Sequence, residues 1–244
     1  MQWLGGATVL TLGADLLAAC DTASGPAADA APLDAPNTAP DLRSGDWSFP
    51  DGGFGFAPGA DKGGVLDGWA ERTVDTQDLI KILSSWKLTV DGMVETPLTI
   101  TFADLALLPR QDQITDFHCV EGWSVLDVPW SGVHISRLFD PVKVQPGATH
   151  VTFHTIGGTY NESLPLQQAL EPRTMLGYGV GGATLPLKHG FPLRVVIPRL
   201  LGYKNAKYVQ RLELTDHPID GYWVAAGYPY AGDVPPARLR PGKY

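Results

Sequence analysis

Glycine and proline punctuate this chain so densely that a long helix has almost nowhere to run. The 244 residues include 28 glycines and 21 prolines, and few segments carry apolar residues at helical spacing for long. What recurs instead is alternation of apolar and polar residues over short runs, bounded by turn residues, the mark of half-buried strands. Residues 86–90 alternate, Asp91-Gly92 turns the chain, and 98–101 return, which predicts a hairpin. Thr101 or Asp104 then caps a short helix running to Leu108 before Pro109. A strand over 113–119 delivers Cys119 to its end. Pro129-Trp130-Ser131-Gly132 reads as a turn, and 133–139 as a short helix capped from Ser131. Residues 150–155 and 206–214 alternate as strands, and 193–197 form a continuous apolar run of buried-strand type. Ser163 opens a helix with Pro165 in its first turn, ending near Leu170. No internal repeat is present. Short strands mixed with short helices and ordered loops indicate an α+β body rather than a regular βαβ series.

The N-terminal region differs from the rest. Residues 4–19 are mostly small and apolar, and Leu17-Ala18-Ala19-Cys20 is similar to a bacterial lipobox. That reading makes 1–20 a signal-like segment and implies a periplasmic or extracytoplasmic protein lipid-anchored through Cys20. The stretch is short for a membrane span and contains Asp15. Met1-Gln2-Trp3 lacks the basic residue of an export signal, so a plain Ala-rich tail is the alternative. Residues 21–46, rich in Ala, Pro and Asp, cannot bury enough surface to fold and read as a flexible linker. Residues 47–244 are then one domain. The formal net charge of -8 argues against nucleic-acid binding.

Several familiar chemistries are excluded. Gly177-Tyr178-Gly179-Val180-Gly181-Gly182 satisfies G-x-G-x-x-G, but a helix-like segment precedes it where a strand belongs, and Pro186 and Pro192 follow where a helix should start. A glycine-rich loop is the expectation. There is no HExxH, no paired cysteines, no C-x-x-C-H and no G-x-S-x-G. Two features remain. The stretch 188–211 carries Lys188, Arg194, Arg199, Lys204, Lys207 and Arg211 with no acidic residue. It is a place for an anion, with Asn205-Ala206-Lys207 offering backbone N–H groups, or else a solvated basic face. The other is Cys119, in Phe117-His118-Cys119-Val120-Glu121-Gly122-Trp123-Ser124. A lone thiol on an apolar strand is either a small core residue or a soft ligand and nucleophile. His118 points to the opposite face of the strand, and Glu121 would raise a thiol pKa, which weakens a Cys–His hydrolase reading.

Three separated motifs tie these together. They are 117–124 continued by Val128-Pro129-Trp130-Ser131-Gly132-Val133, then His189-Gly190-Phe191-Pro192-Leu193-Arg194-Val195-Val196-Ile197-Pro198, then Gly202-Tyr203-Lys204-Asn205-Ala206-Lys207-Tyr208. In order and type they resemble the sulfite-oxidase-type molybdopterin oxidoreductases, with a weaker match at 86–97. The resemblance implies a mixed-sheet α+β molybdopterin-binding fold in a single catalytic domain. It implies that the Cys119 thiolate ligates molybdenum, and that His189, Arg194 and the Asn205-Ala206-Lys207 turn contact the molybdopterin cofactor, with His154 a further contact. The family's N-terminal pterin contact has no clear counterpart between Glu71 and Leu83.

The motif also implies a subtype. No Arg or Lys lies between Arg110 and Arg137, whereas a sulfite dianion needs fixed cations near the metal. Glu121 and Trp123 suit a neutral or zwitterionic oxygen donor, a pattern similar to the periplasmic methionine-sulfoxide reductases. The expected activity is two-electron oxygen-atom transfer, reducing a sulfoxide or N-oxide, with Glu121 relaying a proton. Electrons would come from a separate partner, a membrane cytochrome b. The alternatives are oxidation of sulfite or another small sulfur compound with a cytochrome c acceptor, and an inactive cofactor-binding or electron-relay protein. The resemblance leaves no room for a C-terminal dimerisation domain, so a monomer is expected.

Overall fold

The computed structural model describes residues 85–244. The lipobox-like segment with Cys20, the linker and the glycine-rich residues 47–68 lie outside the described residues. In chain order the elements are β1 (Leu88–Gly92), β2 (Leu98–Ile100), α1 (Phe102–Ala106), β3 (Arg110–His118), β4 (Ser124–His134), α2 (Ser136–Val142), β5 (His150–Thr155), β6 (Asn161–Pro165), α3 (Leu166–Ala169), β7 (Met175–Val180), β8 (Ala183–Thr184), β9 (Arg194–Val196), β10 (Val209–Thr215) and α4 (Tyr222–Ala225). They build two five-stranded sheets. One has the order β2-β1-β10-β5-β6, in which β1 and β10 run parallel and the other pairs antiparallel. The other runs β3-β4-β7-β8, with β9 also paired to β7.

Alternation explains why these sheets share a core. Leu88, Val90, Val151, Phe153, Leu212 and Leu214 come from the first sheet. Val128, Trp130, Val133, Leu176 and Tyr178 come from the second, and all join one buried cluster. The hairpin of β1 and β2 is as the alternation predicted, and it is locked onto β10 by the parallel pairing of Thr89 with Arg211. Thr101 caps α1 reciprocally with Asp104: the Asp104 N–H donates to Thr101 Oγ1 at 3.2 Å and the Thr101 N–H to Asp104 Oδ2 at 2.9 Å.

Long-range pairing overrode local signals in four places. Pro129-Trp130-Ser131-Gly132 is no turn but the middle of β4. Gly132 is there because β7 approaches so closely that a Cβ would lie 2.1 Å from the Leu176 carbonyl oxygen. The helix expected from Val133 starts at Ser136, because Val133 and His134 are still paired with Leu176 and Met175. Ser163 opens no helix. It is fully buried in β6, opposite Thr152, and only Leu166–Ala169 turn helical. The glycine-rich 177–180 are not loop but buried strand β7, with Gly181 and Gly182 turning at positive φ into β8.

Candidate functional site

Cys119 follows the last residue of β3 and opens the loop to β4. That loop is closed by its own backbone: the Cys119 N–H donates to Trp123 O at 2.9 Å and the Gly122 N–H to Cys119 O at 3.2 Å. Gly122 has φ 103°, a conformation that a Cβ would strain. The thiol is buried at the loop's start, whereas Val120 and Glu121 are exposed at its tip.

Two residues back, Phe117 joins this loop to the basic stretch. Its ring packs on Trp123 with centroids 6.0 Å apart. The Arg194 guanidinium lies 5.5 Å from the Phe117 centroid and 5.1 Å from that of Trp130. On its other flank the ring rests on Gly202, where a Cβ would come within 2.5 Å. The turn at Gly202, strand β9 and the cysteine loop therefore meet on one aromatic ring.

Around Arg194 the cations converge. Arg194 is buried, and its Nη1 donates to His189 O at 3.0 Å. Burial lowers its pKa to about 10, so it keeps its charge near neutral pH. Lys207 is its cross-strand neighbour, and Lys207 Nζ donates to Lys188 O at 3.0 Å. Burial above all, then the charges of Arg194, Lys188 and Lys207, push His189 down to about 2, which leaves a neutral imidazole. Gly190, at φ 115°, permits this crowding. A Cβ there would sit 3.1 Å from both Arg194 Cβ and Lys207 Cγ.

The other cations of the stretch have different partners. Lys204 is fully buried against Glu162, with Nζ to Oε1 at 2.5 Å. Arg211 donates to Asp91 at 2.8 Å and to Glu213, and Arg199 lies 3.9 Å from Glu171. The basic stretch is thus not one uniform face: Lys188, Arg194 and Lys207 gather at His189, and the rest brace the fold.

The remaining expected site residues divide. Asn205 uses its side chain on the backbone: Oδ1 accepts from Ile197 N–H at 2.7 Å, and Nδ2 donates to the Leu200 and Leu201 carbonyls at 3.3 and 3.2 Å. Ala206 O accepts from Val195 N–H at 2.8 Å. These two shape the turn that sets Lys207 beside Arg194. His154 lies in the other sheet, where Nε2 is 2.8 Å from Glu213 Oε2 and 3.3 Å from Arg211 Nη1. Glu121 is not drawn into the cation cluster.

Sequence reasoning missed the C-terminal tail. Arg238 donates to the Cys119 and Trp123 carbonyls at 3.0 and 2.6 Å, and Arg240 pairs with buried Asp116. The cysteine loop therefore has basic neighbours although none is near it in sequence. Only the return of the tail reveals them, and no local pattern signals it. Trp123 Nε1 is buried with no hydrogen-bond partner, on the ring that packs against Phe117.

Residues 74–223 match the family described as the oxidoreductase molybdopterin binding domain. The chain is 36% identical over 151 residues to the uncharacterized oxidoreductase YuiH of Bacillus subtilis, covering 62% of this chain and 76% of that one. It is 35% identical over 155 residues to the protein-methionine-sulfoxide reductase catalytic subunit MsrP of Gluconobacter oxydans, covering 57% of this chain and 49% of the other. The chain thus spans about half the length of that reductase subunit. Among solved structures, the sulfane dehydrogenase SoxCD of Paracoccus pantotrophus shares the fold. Its TM-score is 0.52 at 23% identity, covering 63% of this chain and 42% of that chain.

Proposed function

The chain belongs to the oxidoreductase molybdopterin binding domain family, and from that premise we propose that it catalyses two-electron oxygen-atom transfer, reducing a sulfoxide or N-oxide. Bound molybdopterin would supply the metal that accepts the oxygen atom and changes oxidation state. The chain's own residues would hold and orient that group. Cys119 offers a soft thiolate ligand, and the cations at His189 offer a site for the phosphate of the cofactor. The observation that carries this reading is the Phe117 ring, which joins the loop of the buried Cys119 thiol to buried Arg194, with half-buried Lys207 and exposed Lys188 converging beside it. The unpartnered Trp123 N–H and the crowding that Gly190 allows also fit a bound polar group. In this proposal Asn205 and Ala206 hold the phosphate-facing turn in shape. His154 contacts the cofactor only by giving up part of its ion network.

The mouth of the site favours a neutral oxygen donor. Val120 and Leu126 expose apolar surface there. Asp116 and Asp127 offset Arg240 and Lys243. Glu121, exposed at the loop tip, would relay a proton to departing oxygen. Arg238, whose hydrogen bonds go to carbonyls and a hydroxyl, favours a second reading, the oxidation of a small anionic sulfur compound with a cytochrome c acceptor.

We assign the catalytic domain to residues 47–244, the linker to 21–46 and the signal-like segment to 1–20. The protein would work outside the cytoplasm, anchored through Cys20, as a monomer taking electrons from a separate membrane cytochrome b. No helix among the described residues is long and apolar enough to cross a membrane. The test is the full chain made in cells that build the cofactor. Molybdenum and pterin should copurify with wild type, and molybdenum should be lost from Cys119→Ser. Reduced dye should be oxidised by methionine sulfoxide. Loaded enzyme that is silent toward sulfoxides and N-oxides but reduces cytochrome c with sulfite would turn the assignment to the second reading.

A further inference from the structure

The loop that presents Cys119 is gripped from the far end of the chain. Beyond α4 the chain returns through a short 3-10 turn, Pro236–Arg238, and lays Arg238 on the loop. Nη1 donates to Cys119 O at 3.0 Å, while Nη2 donates to Trp123 O at 2.6 Å and to Ser124 Oγ at 3.0 Å. One planar guanidinium thus holds the first and last carbonyls of residues 119–123, which are also the two carbonyls that close the loop on itself. The contact extends to His118. A guanidinium only donates, so Ser124 Oγ accepts from Arg238, and the same oxygen shares a hydrogen bond with His118 Nδ1, 2.7 Å away. Nearby, Arg240 and Lys243 bind Asp116 and Asp127, which lie in the strands flanking the loop and not in the loop itself.

The loop's own two hydrogen bonds fix its shape, and the pairing of His118 with Ser124 and the packing of Trp123 on Phe117 tie it to β3. Arg238 adds a further constraint at the carbonyls of both its ends. We propose that Arg238 is the positioning residue for Cys119, holding the loop so that the thiol keeps one orientation toward the bound metal; this rests on the reading of Cys119 as the molybdenum ligand. Arg238 touches no reacting atom and acts through the loop carbonyls.

The test uses the full chain with Arg238→Ala, Arg238→Lys and, as a control, Arg240→Ala. The first measurement is the rate of Cys119 alkylation by iodoacetamide in cofactor-free protein at fixed pH, with Cys119 resolved from Cys20 by peptide mass spectrometry. The second is the Mo(V) EPR signal of loaded protein. Arg238→Ala should raise the alkylation rate at least about tenfold, as expected for loss of charge-assisted hydrogen bonds. It should also shift or split the Mo(V) signal while pterin content stays at the wild-type level. Arg238→Lys should behave like the alanine variant, because an ammonium lacks the fork that spans two carbonyls. It carries the test if the alanine variant does not fold. Arg240→Ala should lower the melting temperature and leave both readouts unchanged.

Wild-type alkylation and EPR in the Arg238 variants would overturn the proposal, as would an equal effect from Arg240→Ala. Wild type with neither molybdenum nor pterin would remove the cofactor reading instead, while the alkylation measurement would still decide whether Arg238 holds the loop.

Discussion

Replacing Lys204 by methionine tests how the phosphate-facing turn is anchored. Lys204 and Glu162 are both fully buried, with Nζ to Oε1 at 2.5 Å, and Lys204 also donates to Ser163 O at 3.0 Å. Its ammonium sits 4.4 Å from the Tyr230 ring centroid. Burial pushes the Glu162 pKa up and the Lys204 pKa down, each toward its neutral form, and the mutual attraction opposes that. With the lysine gone, Glu162 keeps the Ser163 N–H at 2.8 Å, while Oε2 already has no partner. Gly221 presses so close that a Cβ would lie 2.8 Å from the carboxylate, so the group has little room to turn away. A buried charge stripped of its partner costs about 3–5 kcal/mol. For a domain of this size that is a fall of roughly 6–20 °C in melting temperature.

Without Lys204 to oppose it, burial favours the protonated form of Glu162 in the folded variant more than in the unfolded chain. The variant should therefore recover stability as pH falls from neutral toward the ordinary carboxylate range. Lys204→Met with Glu162→Leu should cost far less than the two single changes summed, since no charge is left buried. Urea and thermal unfolding of the full chain measure all of this. The reasoning fails if Lys204→Met stays within about 1 kcal/mol of wild type, or if the two changes are additive.

Gly132→Ala should destabilise the fold by about 3 kcal/mol or more, because the obstacle at 2.1 Å is a backbone carbonyl that cannot rotate away; a urea midpoint matching wild type would contradict the close approach of β7. In cofactor-free protein, His189 stays neutral down to about pH 2 while the unfolded chain protonates near 6.5. Stability contributed by its neutral form should thus be lost as pH falls below 6.5, by up to about 1.4 kcal/mol per unit. His189→Asn should flatten that slope between pH 7 and 5.5, and equal slopes in variant and wild type would show that His189 titrates normally.

The alternation of residues 86–101 and 150–155, the Thr101 cap and the delivery of Cys119 to a strand end were legible in the sequence, because each depends on neighbours a few residues away. So were the identities of the cysteine and of the basic stretch, since side-chain chemistry is fixed by residue type. Pairing across the fold was not legible. Pro129 and Gly132 look like a turn, and Gly177 and Gly179 like a loop, until β4 and β7 lie side by side and Gly132 meets the Leu176 carbonyl too closely for any side chain. The basic stretch could not be divided in advance. Glu162 and Asp91 take Lys204 and Arg211 from positions far along the chain, leaving Lys188, Arg194 and Lys207 to converge on His189. The cations beside Cys119 were hidden for the same reason: Arg238 and Arg240 arrive from over a hundred residues downstream. Sequence determined which groups can do chemistry here, and tertiary structure decided which of those groups meet, because charge and hydrogen bonding act through distance in space and not along the chain.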